Sequence, residues 1–493
     1  MNLLLLLDMA SAGRGDAPAV QADDEALSAS ELLTAAWAGA QLVAGRDHLA
    51  YVGTNGLAFP VGLFAAAAAG IPFVPLNYRL SVDQLDSMLQ PLGDVVVVGE
   101  GVAYDALAER GHPMVPAAEL VAAGRGGDAS GDVPMDADGA AVLLYTSGTT
   151  SAPKAAVLRH RNLSAYVIGT VEFGGASEED AVLVSVPPYH VAGLANLLSN
   201  LYAGRRIVYL PQFEAHAWVE AVRRERITNA MVVPTMLSRI ADILEADGEG
   251  LPSLRNLSYG GARTPSTVLQ RIMGLLPEVD FTNAYGLTET SSTIAVLGPD
   301  DHRAARGGDP VAVSRLASAG KVLPTVEVEV RGGDDRPVPA GEPGEIFVRG
   351  EQVSGEYATG AVLDDGGWFP TRDRGWLDED GYLFIEGRND DTIIRGGENI
   401  APAEIEEALL EHPDIAECAV VGVPDDEWGQ VIAVAVVCHP GAQLDAEGVR
   451  AFARQTLRSS KTPDVVSFVD TLPYTETGKL LRRVVQADLE KSE

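Results

Sequence analysis

The stretch YTSGTTSAPK sets Thr146, Ser147, Thr149, Thr150 and Ser151 around Gly148 and ends on Lys154. Such a run buries little apolar surface. Its hydroxyls, backbone N–H groups and single cation are suited to surround phosphate oxygens. The spacing is not GxxxxGK[ST], so that type of nucleotide loop is excluded. Four other stretches carry chemistry that fits a nucleotide. In NAYGLTETSS, from Asn283 through Ala284, Tyr285 before Gly286 can present a ring face to a base. Thr288 and Glu289 then supply a hydroxyl and a carboxylate, the groups a phosphate and a hard cation such as Mg²⁺ require. LSYGGART is a strand ending in Gly260 and Gly261, followed by Ala262, where backbone can lie close to a flat ring. In TRDRGWLDEDGYLFIEGRNDD, Asp373 can accept both hydroxyls of a ribose and Arg388 can add charge beside the same sugar or phosphate. Asp378 and Asp380 read as solvated turn residues. In TLPYTETGKLLRR, Lys479 sits on a Gly-containing turn near the chain end.

These groups need elements to hold them. AAVLLY, before the first loop, reads as a buried strand, and AAVLRHRNLSAYV after it has helix-like apolar spacing. The loop is therefore expected to join a strand to a helix. From the start to about Val330 short apolar strands such as AYVGTN, AVLVSVPP, RIVYLP, NAMVVP and LSYGGA alternate with helical stretches. This is the pattern of a layered α/β protein with mostly parallel sheets, whose ligands sit beyond the carboxyl ends of strands. Between Gly320 and Arg388 runs such as VEVEVRG and GEIFVRG read as antiparallel hairpins, a small barrel-like subdomain. After Arg388 a pattern of helix, two strands and helix marks a small α+β unit of about a hundred residues. GRGGDASGDVPMDADGA reads as a solvated linker.

Composition narrows the partners. The chain has 493 residues and a formal net charge of −34, which argues against general nucleic-acid binding and against an anionic membrane surface. Polyanions must then be met by a few local cations. Lysine is scarce (Lys154, Lys321, Lys461, Lys479 and Lys491), so each lysine invites the question of what a compact, mobile charge does there that arginine cannot. Cys418 and Cys438 give neither a disulfide framework nor a metal cluster, and the simplest setting is a reducing cytoplasm. MNLLLLLDMA lacks a basic start and is too short to span a bilayer; it reads as a first helix capped by Asn2.

Taken together and in this order, the five stretches resemble the adenylate-forming superfamily of acyl-CoA synthetases, peptide-synthetase adenylation domains and beetle luciferases. The resemblance spans essentially the whole chain. It implies a large N-terminal AMP-binding domain, residues 1–389, and a small mobile C-terminal domain, residues 390–493. It implies ATP, Mg²⁺ and coenzyme A as cosubstrates and cofactor, and a carboxylic acid converted first to an acyl-adenylate and then to a thioester. By position, the first loop would embrace the β- and γ-phosphates, Tyr285 would stack on adenine, and Thr288 would touch the α-phosphate. Glu289 would hold the metal, Asp373 the ribose with Arg388 beside it, and Lys479 would bridge carboxylate and α-phosphate. Asp390 would be the hinge, and Arg395, Gly396, Gly397 and Glu398 would approach for the second step and line the passage of pantetheine. His190, in PPYHVAGL, would gate the carboxylate end of the acyl pocket; a structural histidine is the other reading. Small residues at Ala192, Gly193, Ala262 and Ala284 leave room for a bulky or long apolar acid. An acid-adenylating enzyme that loads a separate carrier protein, or performs only the adenylation half-reaction, is the alternative function, and a homodimer is left open. The chain departs from the family at Ser151, Ala155 and Arg372, where glycine is usual.

Overall fold

The computed structural model describes residues 1–126, 130–146, 154–425, 427–475 and 479–491. Among them, the apolar strands form two large sheets with helices packed around and between them. Asn229–Val232, Asn256–Gly260 and Asp280–Leu287 lie parallel and adjacent, and Ala181–Val184 and Arg206–Tyr209 extend the set. All five belong to a 13-stranded sheet. An eight-stranded sheet holds His48–Val52, Phe73–Pro75, Val95–Gly99 and Ala140–Thr146 in parallel. Every residue of VVVVG and of AVLV is buried, because helices cover both faces of these strands. The helix Ala58–Ala69 is apolar on almost all sides. Its Phe59, Leu63 and Phe64 share one core with Leu49 and Phe73 of the smaller sheet and with Val182 and Ile207 of the larger. Leu4, Leu6 and Leu7 of the first helix, Leu4–Arg14, join the same core, and the Asn2 side chain accepts the Leu4 N–H at 2.9 Å. Among the described residues no helix is long and apolar enough to cross a membrane.

One expectation is corrected. Lys154–Arg159 is a strand paired antiparallel with Ala140–Thr146, and the helix His160–Thr170 starts only after it. The phosphate-type loop thus joins two strands of a hairpin and does not open a helix. The four residues Ala155 to Leu158 are all buried, as an inner strand demands, and this overrides the helical spacing of the longer window.

The antiparallel strands Glu327–Arg331, Gly344–Arg349, Phe369–Leu377 and Tyr382–Arg388 form as expected. They are continuous with the parallel strands: Gly320–Val322 bridges Ser292–Leu297 to Tyr382–Arg388. They also enclose their own core of Ile294, Val330, Ile346, Val348 and Leu383. The third sheet is built by Ile393–Arg395, Glu398–Ile400, Ile415–Asp425, Gly429–Cys438 and Val465–Phe468, covered by the helices Pro402–Leu409, Ala446–Thr456 and Arg482–Glu490. It forms a small C-terminal unit beside a large N-terminal one.

Candidate active site

The parallel strands Asn256–Gly260 and Asp280–Leu287 end together, with Gly260 opposite Ala284. A Cβ on Gly260 would sit 2.2 Å from the Ala284 carbonyl oxygen, and Gly261 has φ +84, so glycine is required at both. Ala262 is half-buried beyond them. Asn283 donates to the Ser318 carbonyl at 3.2 Å and so ties its strand to the next loop. A bulge after Tyr285 brings Gly286 against the Ser292 carbonyl, 1.8 Å from where a Cβ would stand.

Tyr285 and Arg388 converge on Asp373. The Tyr285 phenol donates to Asp373 Oδ2 at 2.5 Å, and Arg388 Nε meets Oδ1 at 2.9 Å. Strand pairing sets Asp373 directly across from Arg388. Asp373 is buried, and burial pushes its carboxyl up, against the pull of Arg388, the Tyr285 hydroxyl and Lys479. Each carboxylate oxygen still has a lone-pair direction for an incoming hydroxyl.

Thr288, half-buried, and Glu289, buried, form a short 3₁₀ turn with Thr290. Gln352 donates to the Thr290 and Thr293 carbonyls at 3.0 and 2.8 Å, while the Ser354 N–H donates to the Glu289 carbonyl at 2.8 Å. The Tyr357 phenol donates to Glu289 Oε1 at 2.5 Å. Glu289 Oε2 makes no hydrogen bond to a described residue. One carboxylate with a spare oxygen, and no cluster of three His, Cys, Asp or Glu among the described residues, suits a small hard cation that takes its remaining ligands from phosphates and water.

Tyr357 was not singled out from the sequence. It lies on the two-residue strand Glu356–Tyr357, paired with Ala156 of the strand that begins at Lys154. The exposed Lys154 places its Nζ 5.7 Å from the Tyr357 ring centre. Tyr357 therefore touches both the loop lysine and the turn carboxylate. Nothing in the short run GEY signals this, since it depends on which strand lies alongside. Thr146 pairs with Lys154 across the hairpin and donates its hydroxyl to the Lys154 carbonyl at 3.3 Å. Ser147, Gly148, Thr149, Thr150 and Ser151 lie outside the described residues. Ala155 is an ordinary buried strand residue, so a methyl group fits there. Arg372 is different: it holds φ +61, the left-handed region that favours glycine.

Lys479 reaches the same place from the small unit. Burial and the Arg388 charge push its ammonium below its ordinary value, while Asp373, Asp391 and Glu289 pull it back up. It also acts on His190, whose imidazole is brought down to about 4 by burial and then by the Lys479 charge. His190 caps the helix Val191–Ala203, accepting the Ala192 N–H on Nδ1 at 3.2 Å, so a neutral ring faces the site. Asp390 is exposed and lies in the turn Asn389–Asp391, directly after the strand Tyr382–Arg388. The hairpin of Arg395, Gly396, Gly397 and Glu398 is not brought to this cluster by its described hydrogen bonds, which stay inside the small unit. Arg395 donates to the Ser460 carbonyl at 2.9 Å and to Asp464 at 2.7 Å, and the Gly396 N–H to the Trp428 carbonyl at 2.8 Å. Gly396 and Gly397 have φ of +56 and +85. Near Pro187, a cavity of about 380 Å³ lies between the units, with Arg79 and Arg239 on one wall and Tyr474 and Thr475 on the other.

The profile of the family described as AMP-binding enzyme matches residues 7–358, and that of the AMP-binding enzyme C-terminal domain matches residues 404–479. Feruloyl-CoA synthase of Amycolatopsis sp. is 38% identical over 453 residues, 89% of this chain and 88% of that one. Fatty acid–[acyl-carrier-protein] ligase ScoC of Streptomyces coeruleorubidus is 34% identical over 460 residues, 89% of this chain and 86% of that one. Among solved structures, o-succinylbenzoate CoA synthetase of Bacillus subtilis with its acyl-adenylate superposes with a TM-score of 0.85 at 28% identity, covering 98% of this chain and 97% of that one. The same enzyme with ATP and magnesium ion gives a TM-score of 0.83 at 27% identity, covering 97% of this chain and 98% of that one.

Proposed function

The chain belongs to the AMP-binding, adenylate-forming enzymes, and on that premise we propose which of its residues carry an ATP-dependent ligation of a carboxylic acid to a thiol. The enzyme is an AMP-forming acyl-CoA ligase. In the first step a carboxylate oxygen attacks the α-phosphorus of ATP, the bond to the bridging oxygen breaks, and pyrophosphate leaves with that electron pair. In the second the thiol sulfur attacks the acyl carbon of the adenylate, and AMP leaves. Neither step needs covalent help from the protein; both need alignment and neutralised charge.

The observation that carries the assignment is the convergence of Tyr285 and Arg388 on the buried Asp373, with the Lys479 charge acting on Asp373 and His190. Asp373 would take the ribose hydroxyls, held in place by Arg388 and Tyr285. The adenine would lie between the Tyr285 ring and the Gly260–Ala262 backbone. Thr288 would meet the α-phosphate, and Thr146 through Thr150 with Lys154 the departing pyrophosphate. Glu289 would hold Mg²⁺, which when bound neutralises phosphate oxygens. Lys479 would bridge the carboxylate and the α-phosphate, with neutral His190 closing the acyl side. Asp390 would be the joint between a unit of residues 1–389 and one of 390–493. Rotation there would withdraw Lys479 and bring Gly396 and Gly397 to the thiol. A reducing cytoplasm suits the two free cysteines, Cys418 and Cys438.

A carrier-bound thiol is the second reading of the acceptor, favoured by the similarity to an acyl-carrier-protein ligase. Acid-dependent exchange of pyrophosphate into ATP, run over ferulic, indoleacetic, 2-succinylbenzoic and fatty acids, tests the first step and finds the acid. Thioester formation with CoA, and then with carrier proteins, tests the second. Exchange that requires an acid, followed by CoA thioester, is the expected result. Exchange without CoA turnover, with transfer to a carrier, would move the acceptor. No exchange with any acid would remove the reading.

A further inference from the structure

Lys479 sits on a loop, yet its task is defined to a fraction of an ångström. Lys479 is tied to Thr475: the Thr475 N–H donates to the Lys479 carbonyl at 2.8 Å, and the Lys479 N–H to the Thr475 hydroxyl at 3.0 Å. These bonds tie Lys479 to Thr475 but do not fix where the pair sits. Three residues after Lys479, Arg482 opens the helix Arg482–Glu490 and turns back into the small unit. Its guanidinium forks onto Glu406, Nη1 to Oε1 at 2.5 Å and Nη2 to Oε2 at 2.8 Å. Nη1 also donates to the Val420 carbonyl at 2.7 Å, and Nε lies 3.7 Å from Asp391 of the hinge turn. Glu406 Oε1 in turn accepts the Val420 N–H at 2.8 Å.

The fork is planar and bidentate, so it fixes direction as well as distance. An apolar pair could hold the fold as well as this half-buried ion pair; what the pair adds is a defined orientation. The helix that carries Glu406 also carries Glu407, and Glu407 pairs with Arg263 of the large unit, next to the Gly260–Ala262 turn. A contiguous path therefore runs from the nucleotide side of the large unit, through Arg263 and Glu407, to Glu406, Arg482 and Lys479.

We propose that Arg482 is a positioning residue for the adenylation step: through Glu406 and Asp391 it registers the Lys479 loop against the hinge, so that Lys479 and the hinge move as one lever. The proposal rests on the first-step role assigned to Lys479 above. It predicts a specific pattern. Arg482→Ala lowers the maximal rate of acid-dependent pyrophosphate exchange by about ten- to a hundredfold, the range a small misplacement of a reacting group produces. The ATP concentration for half-maximal rate stays within about twofold. Arg482→Lys recovers only part of the rate, because an ammonium cannot fork. In a Lys479→Ala background, Arg482→Ala costs nothing further, and thioester formation from supplied acyl-adenylate is spared throughout. Independently of turnover, amide hydrogen exchange at Thr475 and Lys479 speeds up in Arg482→Ala. Glu406→Gln, which keeps the shape of the partner, gives the same pattern should the alanine variant fold poorly.

A rate loss that adds to that of Lys479→Ala, or an equal loss in both half-reactions, overturns the proposal. So does unchanged hydrogen exchange at the loop. Wild-type protein without exchange for any acid would instead count against the function, and the hydrogen-exchange comparison would still decide whether Arg482 holds the loop.

Discussion

Two residues show how local geometry bears on the chemistry. Arg372 precedes the buried Asp373 and holds φ +61 with an exposed side chain. A left-handed conformation costs a residue with a Cβ about 1–2 kcal/mol, and glycine loses part of that advantage to its freer unfolded chain. Arg372→Gly should therefore stabilise the fold by about 0.5–1 kcal/mol, read as a higher midpoint of denaturant unfolding. A lower midpoint would mean that the arginine side chain has contacts worth more than the strain. Tyr357 is the second case. Its phenol holds Glu289 and its ring underlies Lys154. Tyr357→Phe removes one hydrogen bond to a charged group, worth about 1.5–3 kcal/mol, while the ring stays. The Mg²⁺ concentration for half-maximal pyrophosphate exchange should rise by about tenfold or more, with little change in the pyrophosphate requirement. The reverse pattern would assign Tyr357 to the lysine alone.

At the scale of elements, the turn Asn389–Asp391 is the one to test. Its stem continues the strand Tyr382–Arg388, which pairs with Phe369–Leu377 of the large unit. Its far side is tied to the small unit through Asp391 and Arg482. Asp390 between them lies in a 3₁₀ turn, whose φ near −60° a proline can match. Asp390→Pro should hold the arrangement seen here, with Lys479 at the nucleotide side. Pyrophosphate exchange should stay near normal while thioester formation falls by about tenfold or more, because rotation at one residue requires a large φ/ψ change. The ring crowds Asn389, so a fall in melting temperature of a few degrees is expected. If both half-reactions persist, the joint lies elsewhere.

Over the whole molecule, burial of neutral histidine sets part of the pH dependence. His160 is buried against the first helix, accepting the Leu3 N–H on Nδ1 at 3.2 Å, and burial brings its pKa from 6.5 down to about 4. The unfolded chain thus binds a proton that the folded chain refuses. The stability this group contributes is present above about pH 6.5 and is lost as the pH falls toward 4, on the order of 3 kcal/mol in all. His160→Asn, whose side-chain oxygen can take the same N–H, should flatten the unfolding free energy over that interval. An unchanged slope would place the acid sensitivity in other groups, His190 among them.

What the sequence determined by itself was the chemistry and its order along the chain. Lys154, Tyr285, Glu289, Asp373, Arg388 and Lys479 could be singled out as candidates because each stands in a short run whose residue types have few other uses. The alternation of apolar strands and helices, and the change to hairpins after Gly320, were legible because burial imposes period and length. Three features were not. The strand Lys154–Arg159 hid within helical spacing, because a strand buried on both faces carries no period-two signal. Tyr357 was invisible because its value lies in which strand runs beside it. The Arg482–Glu406–Asp391 network joins residues up to 91 positions apart, and no local pattern encodes a partner at that distance. Side-chain type is a property of a position in the chain; alignment across units is a property of packing, and only the folded molecule decides it.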